Sequence, residues 1–133
     1  MTFDNAHKLI KKGDLLSLRA ELDKGMNPDV SNQFCWTLLM LAALEGSAPI
    51  AELLIARGAN INTANVVGET ALSLAACGGH IRLVKLLLAR GASKDCRPHG
   101  TTLNDWMRAS SGLSQEKLRS VLDLIDDDRL AGT

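Results

Sequence analysis

The sequence contains no tyrosine and only four other aromatic residues, Phe3, Phe34, Trp36 and Trp106. A core built on large aromatic anchors is excluded, and Leu, Ala, Ile and Val must fill thin layers instead. Cysteine is scarce and odd in number: Cys35, Cys77 and Cys96 have no regular spacing. No disulfide framework follows, and a reducing compartment is the simpler reading. Charge of one sign is also missing, since 15 basic and 15 acidic side chains cancel. That leaves no electrostatic footprint for nucleic acid or an anionic membrane. The longest uncharged apolar run, Leu38–Leu44, is too short to span a bilayer. The opening "MTFDNAHKLIKKGD" lacks the apolar segment of a secretory signal. A length of 133 residues suits one domain, expected to be soluble and cytoplasmic.

What is present is repetition. "CWTLLMLAALEGS" (35–47) and "GETALSLAACGGH" (68–80) stand 33 residues apart. At that offset twelve positions agree between 35–67 and 68–100, among them Thr37/Thr70, Ala42/Ala75, Ala43/Ala76, Gly46/Gly79, Arg57/Arg90 and Gly58/Gly91. Average residue usage gives roughly 2 matches by chance. Backwards, Gly46 maps to Gly13 and Gly58 to Gly25; forwards, Gly68 maps to Gly100 at offset 32. Four copies therefore cover almost the whole chain.

Each copy reads as two short helices. In the third, Thr70 is an N-cap, Leu72, Leu74, Ala75 and Ala76 are apolar, and Gly78-Gly79 stops the helix. The second helix runs from about Ile81 to Arg90, with Ile81, Val84, Leu87 and Leu88 on one stripe and Gly91 beyond its end. Pro49 falls in a first turn, where its missing N–H costs little. One such pair cannot bury its apolar face alone, so pairs must stack, with small Ala pairs allowing close approach. The outer copies carry Lys8, Lys11, Lys12 and Arg19, and Glu116, Lys117, Arg119 and Asp123, as capping units would.

The period, "GETALSLAACGGHIRLVKLLLARGAS" and "WTLLMLAALEGSAPIAELLIARGANIN" resemble the ankyrin repeat family. The resemblance covers about residues 4–127 and is strongest in copies two and three. It implies an all-α repeat protein, an α-solenoid of helix-turn-helix units with β-hairpin fingers. The expected divisions are an N-terminal capping repeat (1–34), repeats at 35–67 and 68–99, a C-terminal capping repeat (100–128) and a tail (129–133). The family usually has Pro after the capping Thr and His two further on. Here stand Leu38, Ala71 and Leu103, then Met40, Ser73 and Asp105, while Cys35 replaces the glycine found as Gly68 and Gly100. Losing that pattern is expected to weaken a local hydrogen-bond network.

Two C-x-x-H pairs, Cys77/His80 and Cys96/His99, raise the question of zinc. With one pair at a helix end and the other in a finger, an intervening helix of about 12 Å argues against a shared ion. No metal and no cofactor are expected. No nucleophile elbow, phosphate-cradling loop or H-E-x-x-H is present, so an enzyme is not expected either. Asp4 reads as an N-cap, His7 as a family-position histidine, and Asp126–Asp128 as a solvated tail.

Recognition remains. The resemblance places contacts at the finger tips and the outward ends of the first helices. These are Gln33, Phe34, Trp36, Leu44 and Glu45, then Val66, Val67, Glu69 and Cys77, then Pro98, His99 and Thr101. Gly78 in the third copy and Ala109 and Ser110 in the fourth stand at the same outward helix ends. Exposed, Phe34, Trp36, Leu44, Val66 and Val67 would form an apolar patch suited to a protein partner; folded back, Phe34 and Trp36 would be internal packing. The expected function is non-catalytic binding of another protein, with no nucleic acid, membrane or small-molecule substrate, by a monomer or weak dimer. An inhibitor or immunity-type binder, a self-associating adaptor, and a remote metal-dependent or enzymatic role stay open.

Overall fold

The computed structural model describes residues 2–126. Eight α-helices form among them, in four successive pairs: α1 (Phe3–Lys12) with α2 (Leu15–Asp23), α3 (Leu38–Glu45) with α4 (Ala48–Ala56), α5 (Ala71–Cys77) with α6 (Ile81–Ala89), and α7 (Leu103–Ser110) with α8 (Gln115–Asp126). Within each pair the helices are antiparallel neighbours joined by a short turn. The first helices then pack in a row, α1 on α3, α3 on α5 and α5 on α7, and the second helices form a parallel row.

Local signals place the helix starts. The Thr37 hydroxyl accepts from the Met40 N–H at 3.2 Å, and Thr102 accepts from the Asp105 N–H at 3.1 Å. Thr70 and Ser73 make a reciprocal capping box: Ser73 N–H donates to Thr70 Oγ1 at 3.3 Å and Thr70 N–H to Ser73 Oγ at 2.9 Å. Ser73 thus rebuilds part of the network that its departure from the family pattern was expected to weaken. At α1 the N-cap is Thr2, which accepts from Asn5 N–H at 3.3 Å. Asp4 lies inside the first turn, so its reading as the N-cap is corrected.

The core is one apolar cluster running through all four pairs. Ala6, Ala42, Ala43, Ala75 and Ala76 are completely buried. They sit on the first helices, where a larger side chain would push neighbouring helices apart. Polar links cross between pairs near the second helices. The Asp29 carboxylate accepts from Asn60 N–H and the Asn62 side chain from Ser93 N–H, both at 2.7 Å. Arg57 pairs with Asp23, and Arg90 with Glu52 at 3.4 Å. His80 caps nothing with its side chain. Its ring lies over Gly46 and Gly78, so close that a Cβ on either would be within 2.6 Å of it. Leu113, 33 residues on, lies over Gly79 in the same way.

The expected β-hairpin fingers are not seen. No strand forms among the described residues; a lone antiparallel bridge joins Ser31 and Thr37. Asparagine side chains close the loops instead. Asn32 Oδ1 accepts from the N–H groups of Phe34 (2.9 Å) and Trp36 (3.0 Å), and Asn65 Oδ1 from those of Val67 (3.1 Å) and Glu69 (3.0 Å). Each tip also has a backbone bond across its base, Asn32 N–H to Trp36 O and Asn65 N–H to Glu69 O. These arms are too short for a ladder. At the third tip Arg97 stands where asparagine would, without a side-chain acceptor, and the turn closes through Gly100 N–H to Arg97 O, with His99 left-handed at φ 53°. The tips are tied in series: Val66 N–H donates to Phe34 O at 3.1 Å, and His99 N–H to Val67 O at 2.7 Å.

Cys35 holds the left-handed position of the first tip at φ 64°, where the second has Gly68 at φ 82°. A Cβ in that region costs about 1 kcal/mol. Cys35→Gly should therefore raise stability in urea unfolding by about 0.5–1 kcal/mol. Gly68→Ala should lower it by about 2 kcal/mol or more, because its Cβ would lie 2.3 Å from the Arg97 carbonyl oxygen. No gain for Cys35→Gly would contradict strain at this turn.

Candidate functional site

Of the twelve residues expected at contacts, four apolar ones are open to solvent. Val66 is 64% exposed, Phe34 53%, Leu44 51% and Val67 40%. Gln33, Glu45, His99 and Thr101 are exposed as well, as are Gly78, Ala109 and Ser110. Trp36, Glu69 and Cys77 are half-buried, and Trp36 packs against the core. Pro98 is buried, because the Gly68 turn sits on its Cα and on the Arg97 carbonyl. It is withdrawn from the expected surface.

The structure sorts the rest into two groups. The first is an open groove of about 320 Å³ between α1, the first tip and α3. Phe34, Trp36 and Asn32 line it from the tip, Leu41 and Leu44 from α3, and Phe3, Asp4 and His7 from α1. Three of the chain's four Phe and Trp residues thus meet in one place. Phe3 and His7, one helical turn apart, have ring centroids 6.1 Å apart. Phe3, Asp4, His7 and Leu41 were not among the expected contacts. The available signal was the concentration of scarce aromatics at 3, 34 and 36, together with the helical spacing of Phe3 and His7.

The second group is polar and lies between the second tip and α7. Asn65 Nδ2 donates to Glu69 Oε1 at 3.0 Å, and Glu69 Oε2 stands 3.5 Å from His99 Nε2. The His99 ring stacks on Trp106 with centroids 4.3 Å apart and planes 19° apart. The Trp106 side chain also hydrogen-bonds the Cys77 thiol. Cys77, at the end of α5, and His99, in the third tip, thus share Trp106 as a neighbour. His80 points elsewhere, onto Gly46 and Gly78. Among the described residues, no three His, Cys, Asp or Glu side chains converge as metal ligands would. Gln33, Glu45, Val66, Val67 and Thr101 belong to neither group.

Burial dominates the chemistry of the inner cysteines. It pushes the Cys77 thiol up from 9.0 to about 11, against the opposing Trp106 hydrogen bond. Burial raises Cys96 too, opposed by a hydrogen bond with the Thr70 side chain. Cys35 is exposed. Of the acidic run, Asp126 ends α8 and accepts from Asn104 Nδ2 at 3.5 Å, while Asp127 and Asp128 lie outside the described residues. Among the described residues no helix is long and apolar enough to cross a membrane.

A family model described as ankyrin repeats, in 3 copies, matches residues 6–98. No curated protein matches the chain.

Thiol labelling tests the burial. At pH 8, iodoacetamide should modify Cys35 first, because only about a thousandth of Cys77 is thiolate there. Modification of Cys77 in the folded chain should climb as pH approaches 11. Because the folded value lies above the ordinary 9.0, the thiol's contribution to stability is complete below about 9 and lost as pH rises through about 11. Peptide mass mapping reads the order; equal rates at Cys35 and Cys77 at pH 8 would contradict it.

Proposed function

The chain belongs to the ankyrin repeat family, and on that premise we propose that it is a non-catalytic module that binds another protein through its turn tips and the groove beside the first of them. Ankyrin repeats are generally protein–protein interaction modules. The observation that carries the reading is the apolar surface of Phe34, Leu44, Val66 and Val67, four of the five large apolar side chains open to solvent among the described residues; the fifth, Leu16, lies apart on α2. Phe34 and Leu44 share one groove, and the Phe34 carbonyl accepts from the Val66 N–H, so the two tips that carry these side chains are adjacent. Contiguous exposed apolar surface of this kind marks interaction sites. The tips are closed by side-chain and backbone hydrogen bonds before any partner arrives, so docking loses little conformational entropy. Glu69 is held by Asn65 and His99 and would read polar groups at the edge. The first and last helix pairs would act as caps of the stack. An inhibitory role towards one partner suits this rigid-scaffold mode.

Self-association through the same surface is the second reading, favoured by the same exposed Phe34 and Val66 and by the absence of net charge to oppose it. One variant addresses both. Phe34→Asp/Leu44→Asp changes only exposed side chains and should leave the circular dichroism spectrum and melting temperature nearly unchanged. It should weaken capture of a partner from source-cell lysate by tenfold or more, on the order of 1.4 kcal/mol. Light scattering of the wild type at rising concentration then assigns the surface. A dimer that the variant abolishes gives it to a second copy, and retention of the same partner by the folded variant overturns the reading.

A further inference from the structure

The groove between α1 and the first tip holds one feature an apolar pocket does not need: an acid with no counter-charge. Four carboxylates of the stack have a basic neighbour. Asp23 and Glu52 pair with arginines, Glu21 with Lys24 and Glu69 with His99. Asp4 lines the groove, is exposed, and among the described residues makes no ion pair or hydrogen bond through its carboxylate. Glu45, exposed beside Leu44, is in the same condition. Asn32, the groove's amide, has its oxygen fully engaged by two backbone N–H groups. Asp4 is therefore the carboxylate of the groove, and it shares the lining with three aromatic side chains and the His7 imidazole.

The geometry points to an arginine side chain of the partner as the occupant. This inference rests on the proposed binding role and names what that surface selects. A neutral apolar side chain would fill the volume but strip water from the Asp4 carboxylate without replacing it. An acidic one would meet that carboxylate and the negative ring faces. Arginine answers each part. Its methylenes lie on Leu41 and Leu44, its planar guanidinium stacks on Phe3, Phe34 or Trp36, and its fork of donors meets Asp4 two at a time. Glu45 adds long-range attraction at the rim.

The test uses the full chain and two blocked tripeptides, acetyl-Gly-Arg-Gly-amide and acetyl-Gly-Leu-Gly-amide, followed by amide chemical shifts in ¹⁵N–¹H spectra. The arginine peptide should move the signals of residues 4–8 and 33–36 saturably and bind about threefold tighter than the leucine peptide, as a half-exposed ion pair and ring contact allow. Asp4→Asn should remove about threefold of that affinity. Phe34→Leu, which keeps an apolar side chain but no ring, should remove about twofold. Both variants are checked by melting temperature. Leucine binding as tightly as arginine, arginine binding undiminished by Asp4→Asn, or no saturable shift with either peptide overturns the inference. Peptide failure beside partner loss in Phe34→Asp/Leu44→Asp removes the arginine site and leaves the wider reading standing. Arginine binding beside partner retention by that variant supports the site and removes the wider reading.

Discussion

Close approach of the first helices is the constraint on which everything else depends. A helix of seven to ten residues with one apolar face has no core of its own. It becomes stable only by lying against another, and here the spacing is set by alanines with no room around them. That spacing fixes the distance between successive turns. The turns are then near enough for Val66 N–H to reach Phe34 O, and His99 N–H to reach Val67 O. It also brings the His80 ring down onto Gly46, a contact that would fail if either helix moved outward.

The same constraint explains where the aromatics went. Layers built from Ala and Leu cannot accept a Phe or Trp between adjacent first helices. Phe3, Phe34 and Trp36 gather instead where the stack is open, at the junction of α1, a turn tip and α3. Trp106 finds the other permitted place, stacked on His99. A side chain too large for the interior becomes available for recognition because it has nowhere else to pack.

Much of this was legible in the chain. The period, the threonine starts and the glycine stops depend on backbone requirements that act within a few residues. Thr37, Thr70 and Thr102 therefore cap as their positions suggest. What escaped depends on contacts between copies. Asn32 and Asn65 stand 33 apart, yet their shared role appears only when each oxygen is seen holding two amides, and this is what replaces strands. Pro98 reads as a tip residue by position, but the Gly68 turn above it covers it. The half-site on α1 escaped because the helix starts at Phe3, two residues earlier than the register of α3 implies. The place of Trp106 between Cys77 and His99 likewise depends on a contact between copies that no local spacing records.

The crossed links near the second helices repeat with a fixed step: Asp29 to Asn60, then Asn62 to Ser93. Each helix pair is thereby held by its immediate neighbour and by nothing more distant. The groove, by contrast, is complete within residues 3–44. Stack length and binding chemistry are consequently separable variables in this architecture. A whole unit could be added or lost beyond α4 with its own glycine, asparagine and link residues, and the groove would keep its shape. The first two pairs could change their walls without disturbing the register of those that follow. Such a chain can alter what it recognises and how far it reaches by independent routes.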